Sequence, residues 1–131
     1  MTVIQAISDI VGPKGILTGD DVKARPNRSW GQDSCPAKAI VRPENTDDLA
    51  RIMALCYEHD QTVVPLGGRT GLVDGSTCTA DDIAISLERM DAVEHLDAEA
   101  GLIIVQAGAI LQNVQEAAKE AGWLFAVDLG A

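Results

Sequence analysis

The sequence predicts an α+β protein: a two-layer α/β subdomain with a short parallel β-α-β unit, followed by the start of an antiparallel subdomain. Three observations carry this. The stretch AIVRPENTDDLARIMALCYEHDQTVVPL alternates a short apolar run, an amphipathic helix and a second apolar run. The stretch RMDAVEHLDAEAGLIIVQAG holds two strand patterns around a turn that ends in glycine. Only four aromatics (Trp30, Tyr57, Trp123, Phe125) stand in 131 residues, so the core is aliphatic, as in layered helix and sheet proteins.

Val3, Ile4, Ile7, Ile10 and Val11 recur at helical spacing and Gly12-Pro13 closes them, which predicts an amphipathic helix over 3–11. Residues 18–36 lack periodicity and read as a loop or extended arm anchored by Trp30. A strand follows at 39–41, ending before Pro43. Asn45 or Thr46 caps the next helix, and Asp47 and Asp48 suit the positive end of its dipole. Leu49, Ile52, Met53 and Cys56 mark its buried stripe, and it ends near His59. TVVPL is the next strand, expected to pair in parallel with the first through a right-handed helical crossover.

DIAISL at 82–87 is a further strand, and Asp97 to Gly101 joins the two antiparallel strands. Ile110, Leu111, Val114, Ala117, Ala118 and Ala121 share one helical face, and Gly122 stands where a C-terminal cap belongs. WLFAV reads as a last short strand. The chain then stops at DLGA without a pairing partner, and is expected to be a fragment. The expected organisation is residues 1–35 as an N-terminal helix and arm, and residues 36–131 as the N-terminal part of a larger domain.

The formal charge is −10, from 20 acidic and 10 basic side chains that are not gathered on one face, which disfavours a nucleic acid partner. Three separated cysteines, Cys35, Cys56 and Cys78, argue against a disulfide framework and for a reducing compartment. With His59 and His95 they form no metal-ligand spacing. No signal peptide or membrane span is read, so the expected compartment is the cytoplasm. Cys35 and Cys78 read as inert thiols, Cys56 as core, His95 as a solvated strand residue and His59 as a helix-terminal one. The charges of Glu116, Lys119 and Glu120 read as an exposed helix face. Trp30 and Trp123 read as packing anchors in preference to groups that stack on a ligand.

The densest chemistry lies in PLGGRTGLVDGS, residues 65–76, with four glycines in twelve positions directly after a strand. Glycine permits main-chain N–H groups to converge on an anion without a Cβ in the way. Thr70 and Ser76 add hydroxyls and Arg69 adds a cation. The spacing matches neither G-x-x-x-x-G-K-[ST] nor G-x-G-x-x-G. The residues by themselves leave two readings open, a series of tight turns or a phosphate cradle.

This loop, with AIVRPENTDDLARIMALCYEHDQTVVP upstream and ISLERMDAVEHLDAEAGLIIVQAGAILQNVQEAAKEAGWLFAVDLGA downstream, resembles the N-terminal half of the FAD-binding domain of the p-cresol methylhydroxylase and vanillyl-alcohol oxidase superfamily. It is most similar to the branch of glycolate oxidase FAD subunits, D-lactate dehydrogenases and D-2-hydroxyglutarate dehydrogenases. The resemblance implies that Pro65, Leu66, Gly67, Gly68, Arg69, Thr70, Gly71, Leu72, Gly75 and Ser76 grip the FAD pyrophosphate, and that Asp128 opens a second flavin-contacting segment. It implies hydride transfer from the α-carbon of a D-2-hydroxy acid to flavin N5, with a small-molecule substrate and an electron acceptor as partners. The catalytic base is expected beyond residue 131, so this stretch alone is expected to lack turnover.

Arg69 and Asp74 stand where many relatives have glycine, and the two could pair at the loop rim. Members that attach FAD covalently at this loop carry histidine where Arg69 stands, so non-covalent FAD is implied. Two rival readings stay open. One is a nucleotide-binding transferase, for which Asp81-Asp82 would have to hold a metal. The other is a non-catalytic module that uses the loop as an anion site.

Overall fold

A computed structural model describes residues 1–25, 34–71 and 73–129 of the chain. Trp30, Leu72 and the closing Gly130-Ala131 lie outside them, so the anchor role read for Trp30 and the site role read for Leu72 fall beyond the described residues. Two units make up the chain, residues 1–89 and residues 90–131.

The first unit holds α1 (Val3–Val11), β1 (Ile16–Thr18), α2 (Asp20–Lys23), β2 (Ala39–Val41), α3 (Thr46–Glu58), β3 (Val63–Leu66) and β4 (Ile83–Ser86). The α1 helix starts as expected, with a reciprocal cap between Thr2 and Gln5. Asn45 caps α3 by accepting the Asp48 N–H at 2.8 Å. Two short elements are additional to the sequence reading: α2 lies within the stretch read as an arm, and β1 reaches it at Thr18. Three or four residues are too few to show a period, and β1 is held by pairing to β2 rather than by its own pattern.

The sheet runs β1-β2-β4-β3, with β1 antiparallel and the other three strands parallel. This corrects the expected direct pairing of β2 with β3, because β4 lies between them. Four consecutive buried residues in β4 are the mark of a central parallel strand covered on both faces. Alternation along the strands sorts the core into two layers. Val41, Ile83 and Ile85 pack with Ile7, Ile52 and Cys56 under α1 and α3. Ile40, Ala84 and Leu66 pack on the opposite face with Val22, Cys35, Ala37 and Cys78. Met53, expected in the α3 stripe, is exposed, and Leu55 packs on this core in its place. At 100° per residue 49, 52, 53 and 56 form the narrower face, so helical spacing alone could not have pointed to Leu55.

In the second unit β5 (Val93–Asp97) and β6 (Leu102–Val105) form an antiparallel hairpin with an irregularity between Val93 and His95, followed by α4 (Leu111–Glu120). Gly101 closes the turn at φ 65° and Gly122 follows the helix at φ 83°. Val114 and Ala118 are the buried helix residues, while Ile110 is exposed. Residues 123–127 form no strand, contrary to the reading of WLFAV. Trp123 instead donates its indole N–H to the Ala98 carbonyl at 2.8 Å and lies against Gly101, as a packing anchor does.

Candidate functional site

The three parallel strands end at one edge of the sheet, where ligands of such folds bind. The glycine loop leaves β3 at that edge. It must return to the opposite edge to begin β4, and it does so along the face without α1 and α3, where Cys78 joins the buried layer.

The two halves of this connection differ. The returning half is bonded to itself and to the sheet. Thr77 N–H donates to the Asp74 carbonyl at 3.0 Å, and the Cys78 thiol donates to the Ser76 carbonyl at 3.6 Å. Asp82 accepts from the Thr79 N–H at 2.7 Å, from the Thr79 hydroxyl at 2.8 Å and from the Thr62 hydroxyl. These bonds from Thr62 and then Thr79 hold the Asp82 carboxyl below its ordinary range. Asp82 is thus a loop anchor, an assignment that the Thr-x-x-Asp spacing of residues 79–82 could have signalled.

The leaving half is open. Among the described residues, no acceptor takes the main-chain N–H of Gly67, Gly68, Arg69, Thr70 or Gly71. Gly67, Gly68, Thr70 and Gly71 are exposed, and Arg69 is half-buried. A Cβ built on Gly67, Gly68, Gly71 or Gly75 would meet nothing within 4 Å, and none of the four has a left-handed backbone. Among the described residues nothing therefore requires glycine at these four places. The vacant volume over them faces outward, which suits a bound group that must approach the backbone closely.

Left-handed backbone falls on Arg69 (φ 53°) and Asp74 (φ 58°), the two positions where the resemblance puts glycine in relatives. They are not joined by an ion pair among the described residues, so the rim pair considered from sequence does not form. At the same strand edge Glu88 accepts from Arg25 at 2.7 and 3.1 Å and from Arg42 at 3.1 Å. Burial raises the Glu88 carboxyl, but the two arginines outweigh it and hold it below its usual range. This network ties residues after α2 to the ends of β2 and β4.

Cys35 and Cys78 are buried, and the Cys78 thiol is pushed up to about 12 by desolvation and by Cys35 beside it. Arg69 pulls it the other way without prevailing, so a basic neighbour exists where none was expected, and the thiol is inert nonetheless. Of the remaining site candidates, Pro65 and Leu66 end β3, Gly75 and Ser76 lie in the returning half, and Asp128 is exposed in the second unit.

Residues 37–131 match the model of a family described as the FAD binding domain. The chain belongs to the FAD-binding domain family. Its cofactor is FAD. The D-2-hydroxyglutarate dehydrogenase of Bos taurus is 33% identical over 122 residues, covering 92% of this chain and 22% of that protein. A probable D-2-hydroxyglutarate dehydrogenase of Oryza sativa subsp. japonica is 30% identical over 98% of this chain and 23% of its own length. The D-lactate dehydrogenase of Anaerostipes hadrus is 30% identical over 92% of this chain and 26% of its length. The chain thus spans about a quarter of the length of these relatives.

Among solved structures, alkyldihydroxyacetonephosphate synthase superposes with a TM-score of 0.79 at 15% identity, over 92% of this chain and 27% of the other. p-Cresol methylhydroxylase superposes at 0.75 and 16% identity, over 92% and 24%. At that identity the likeness is one of fold, and the mixed α/β fold expected from the sequence is the one found.

The cytoplasmic expectation is overturned, because the Bos taurus and Oryza sativa relatives are named as mitochondrial proteins. Reduced cysteines describe the mitochondrial matrix as well as the cytoplasm, so they never distinguished the two.

Proposed function

We propose that the leaving half of the glycine loop holds the diphosphate of FAD, and that the full-length protein oxidises a D-2-hydroxy acid of the hydroxyglutarate, lactate or glycolate type. The observation that carries the reading is the run of five unclaimed N–H groups from Gly67 to Gly71 beside glycines with open Cβ positions. Each N–H directed at a phosphate oxygen contributes about 1.5–3 kcal/mol. Pro65 and Leu66 fix the start of the cradle, and Gly75 and Ser76 bound it. Leu72 belongs to the proposed contact set of the loop, and Asp128 is proposed to open a separate flavin-contacting segment.

Bound FAD supplies the hydride acceptor. The chain's own share is to fix the diphosphate and so aim the rest of the dinucleotide. Residues 36–131 act in this reading as the N-terminal part of the flavin domain, with residues 1–35 as a leading helix and arm. The flavin is held without a covalent bond, since no histidine stands at Arg69's place. A metal-dependent transferase is disfavoured because Asp82 already spends its oxygens on Thr62 and Thr79.

The full-length protein should purify yellow, release its flavin intact on heat denaturation, and reduce a dye in the presence of D-2-hydroxyglutarate, D-lactate or glycolate. A colourless full-length protein that fails to take up added FAD removes the reading. Flavin that stays with the precipitated chain removes the non-covalent part of it.

A further inference from the structure

The loop distributes its backbone conformations against what a simple turn requires. Four glycines sit at ordinary φ, while Arg69 takes the left-handed region. For a side chain of that size the left-handed region is strained, and glycine would remove the strain. What sets Arg69 apart from Asp74, which shares this backbone conformation, is the placement of its side chain.

The Arg69 Nη1 atom is buried and meets no hydrogen-bond acceptor. Among the described residues its guanidinium has no carboxylate partner, Asp74 included. The nearby Cys78 thiol, whose pKa Arg69 lowers without prevailing, carries no counter-charge for it. A guanidinium nitrogen withdrawn from water without an acceptor is costly, and an arriving anion relieves the cost. The chain as a whole, at −10, repels anions, so an anionic ligand at this loop needs a local cation.

We propose that the Arg69 guanidinium pairs with the FAD diphosphate and is the residue that makes this loop select a dinucleotide over a flavin without phosphate. The inference rests on the loop reading given above. Placed between Gly68 and Thr70, whose N–H groups are both unclaimed, Arg69 adds full charge where the main chain supplies only partial charge.

The test uses the full-length apoprotein, titrated with FAD and with riboflavin at low and high salt, by flavin fluorescence. Arg69→Met should weaken FAD by about tenfold or more and flatten its salt dependence, with riboflavin binding unchanged. Arg69→Lys should fall between the two. Arg69→Gly should lose FAD affinity like Arg69→Met, yet raise the melting temperature of the apoprotein, which a purely structural arginine would not allow. Should Arg69→Met fail to fold, the lysine and glycine variants decide by the same comparison. Wild-type FAD affinity and salt dependence in the variants, or equal losses for FAD and riboflavin, overturn the inference alone. A wild-type protein that takes up no FAD overturns the loop reading, and this inference with it.

Discussion

A Cβ on Gly15 would come within 2.4 Å of the Val11 carbonyl oxygen, so the chain after α1 folds back against the helix end only because residue 15 has no side chain. Gly67 and Gly68 meet no such neighbour. Gly15→Ala is expected to destabilise the protein by about 1–3 kcal/mol through overpacking against backbone. Gly67→Ala and Gly68→Ala should leave stability within about 0.5 kcal/mol while lowering FAD affinity by about tenfold or more. Urea unfolding and flavin titration of the same three variants separate the two kinds of glycine.

Asp82 gives a pH dependence with a definite sign. Its folded-state carboxyl lies below the ordinary range, so its contribution is present above the unfolded-state pKa and is lost as pH falls through the folded value. Asp82→Asn should cost about 1 kcal/mol or less near neutral pH, because solvent still screens this half-buried carboxylate, and should flatten the decline in stability on the acid side. Thermal melts of both proteins across the acidic range measure the difference.

Glu88 serves two arginines at once. Glu88→Gln keeps the shape but removes the charge, and Arg42 would then rely on the Lys14 carbonyl that its other Nη atom already contacts. A loss of about 1 kcal/mol is expected, and it should shrink in high salt, since both pairs are partly exposed. Comparing denaturation midpoints at two ionic strengths tests this.

Gly101 takes a left-handed turn conformation with the Trp123 ring 3.0 Å from the place of a Cβ. Gly101→Ala is expected to cost about 1 kcal/mol or more and to shift Trp123 fluorescence, because the ring must move. Trp123→Phe should lose about 1 kcal/mol with the indole bond to Ala98.

Long elements with a clear period could be read from sequence. The bounds of α1 match and Asn45 caps α3 as one of its two candidates, whereas the three-residue β2 is placed by its apolar run before Pro43 and not by a period. Sheet order was not legible, because periodicity tells which face of a strand is buried but not which strand lies beside it. The place of β4 depends on contacts from β2 and β3, and its uninterrupted apolar run was the one local hint. WLFAV failed for a related reason: residues with strand propensity form a strand only when an edge is offered to them. At the site, the dense glycines marked the loop, but the division into a bonded half and an open half needed coordinates. The left-handed Arg69 was equally hidden, since composition places such conformations on glycine first.

The insertion of β4 between two strands made before it sets an order on biosynthesis. When Leu66 leaves the ribosome, β2 and β3 have been made but the strand that separates them has not. For roughly one to four seconds, at ordinary rates of translation, both strands have unpaired backbone on their facing sides. The glycine loop emerges in that interval, so the sheet between β2 and β3 can be completed only after residues 67–86 have followed Leu66 out.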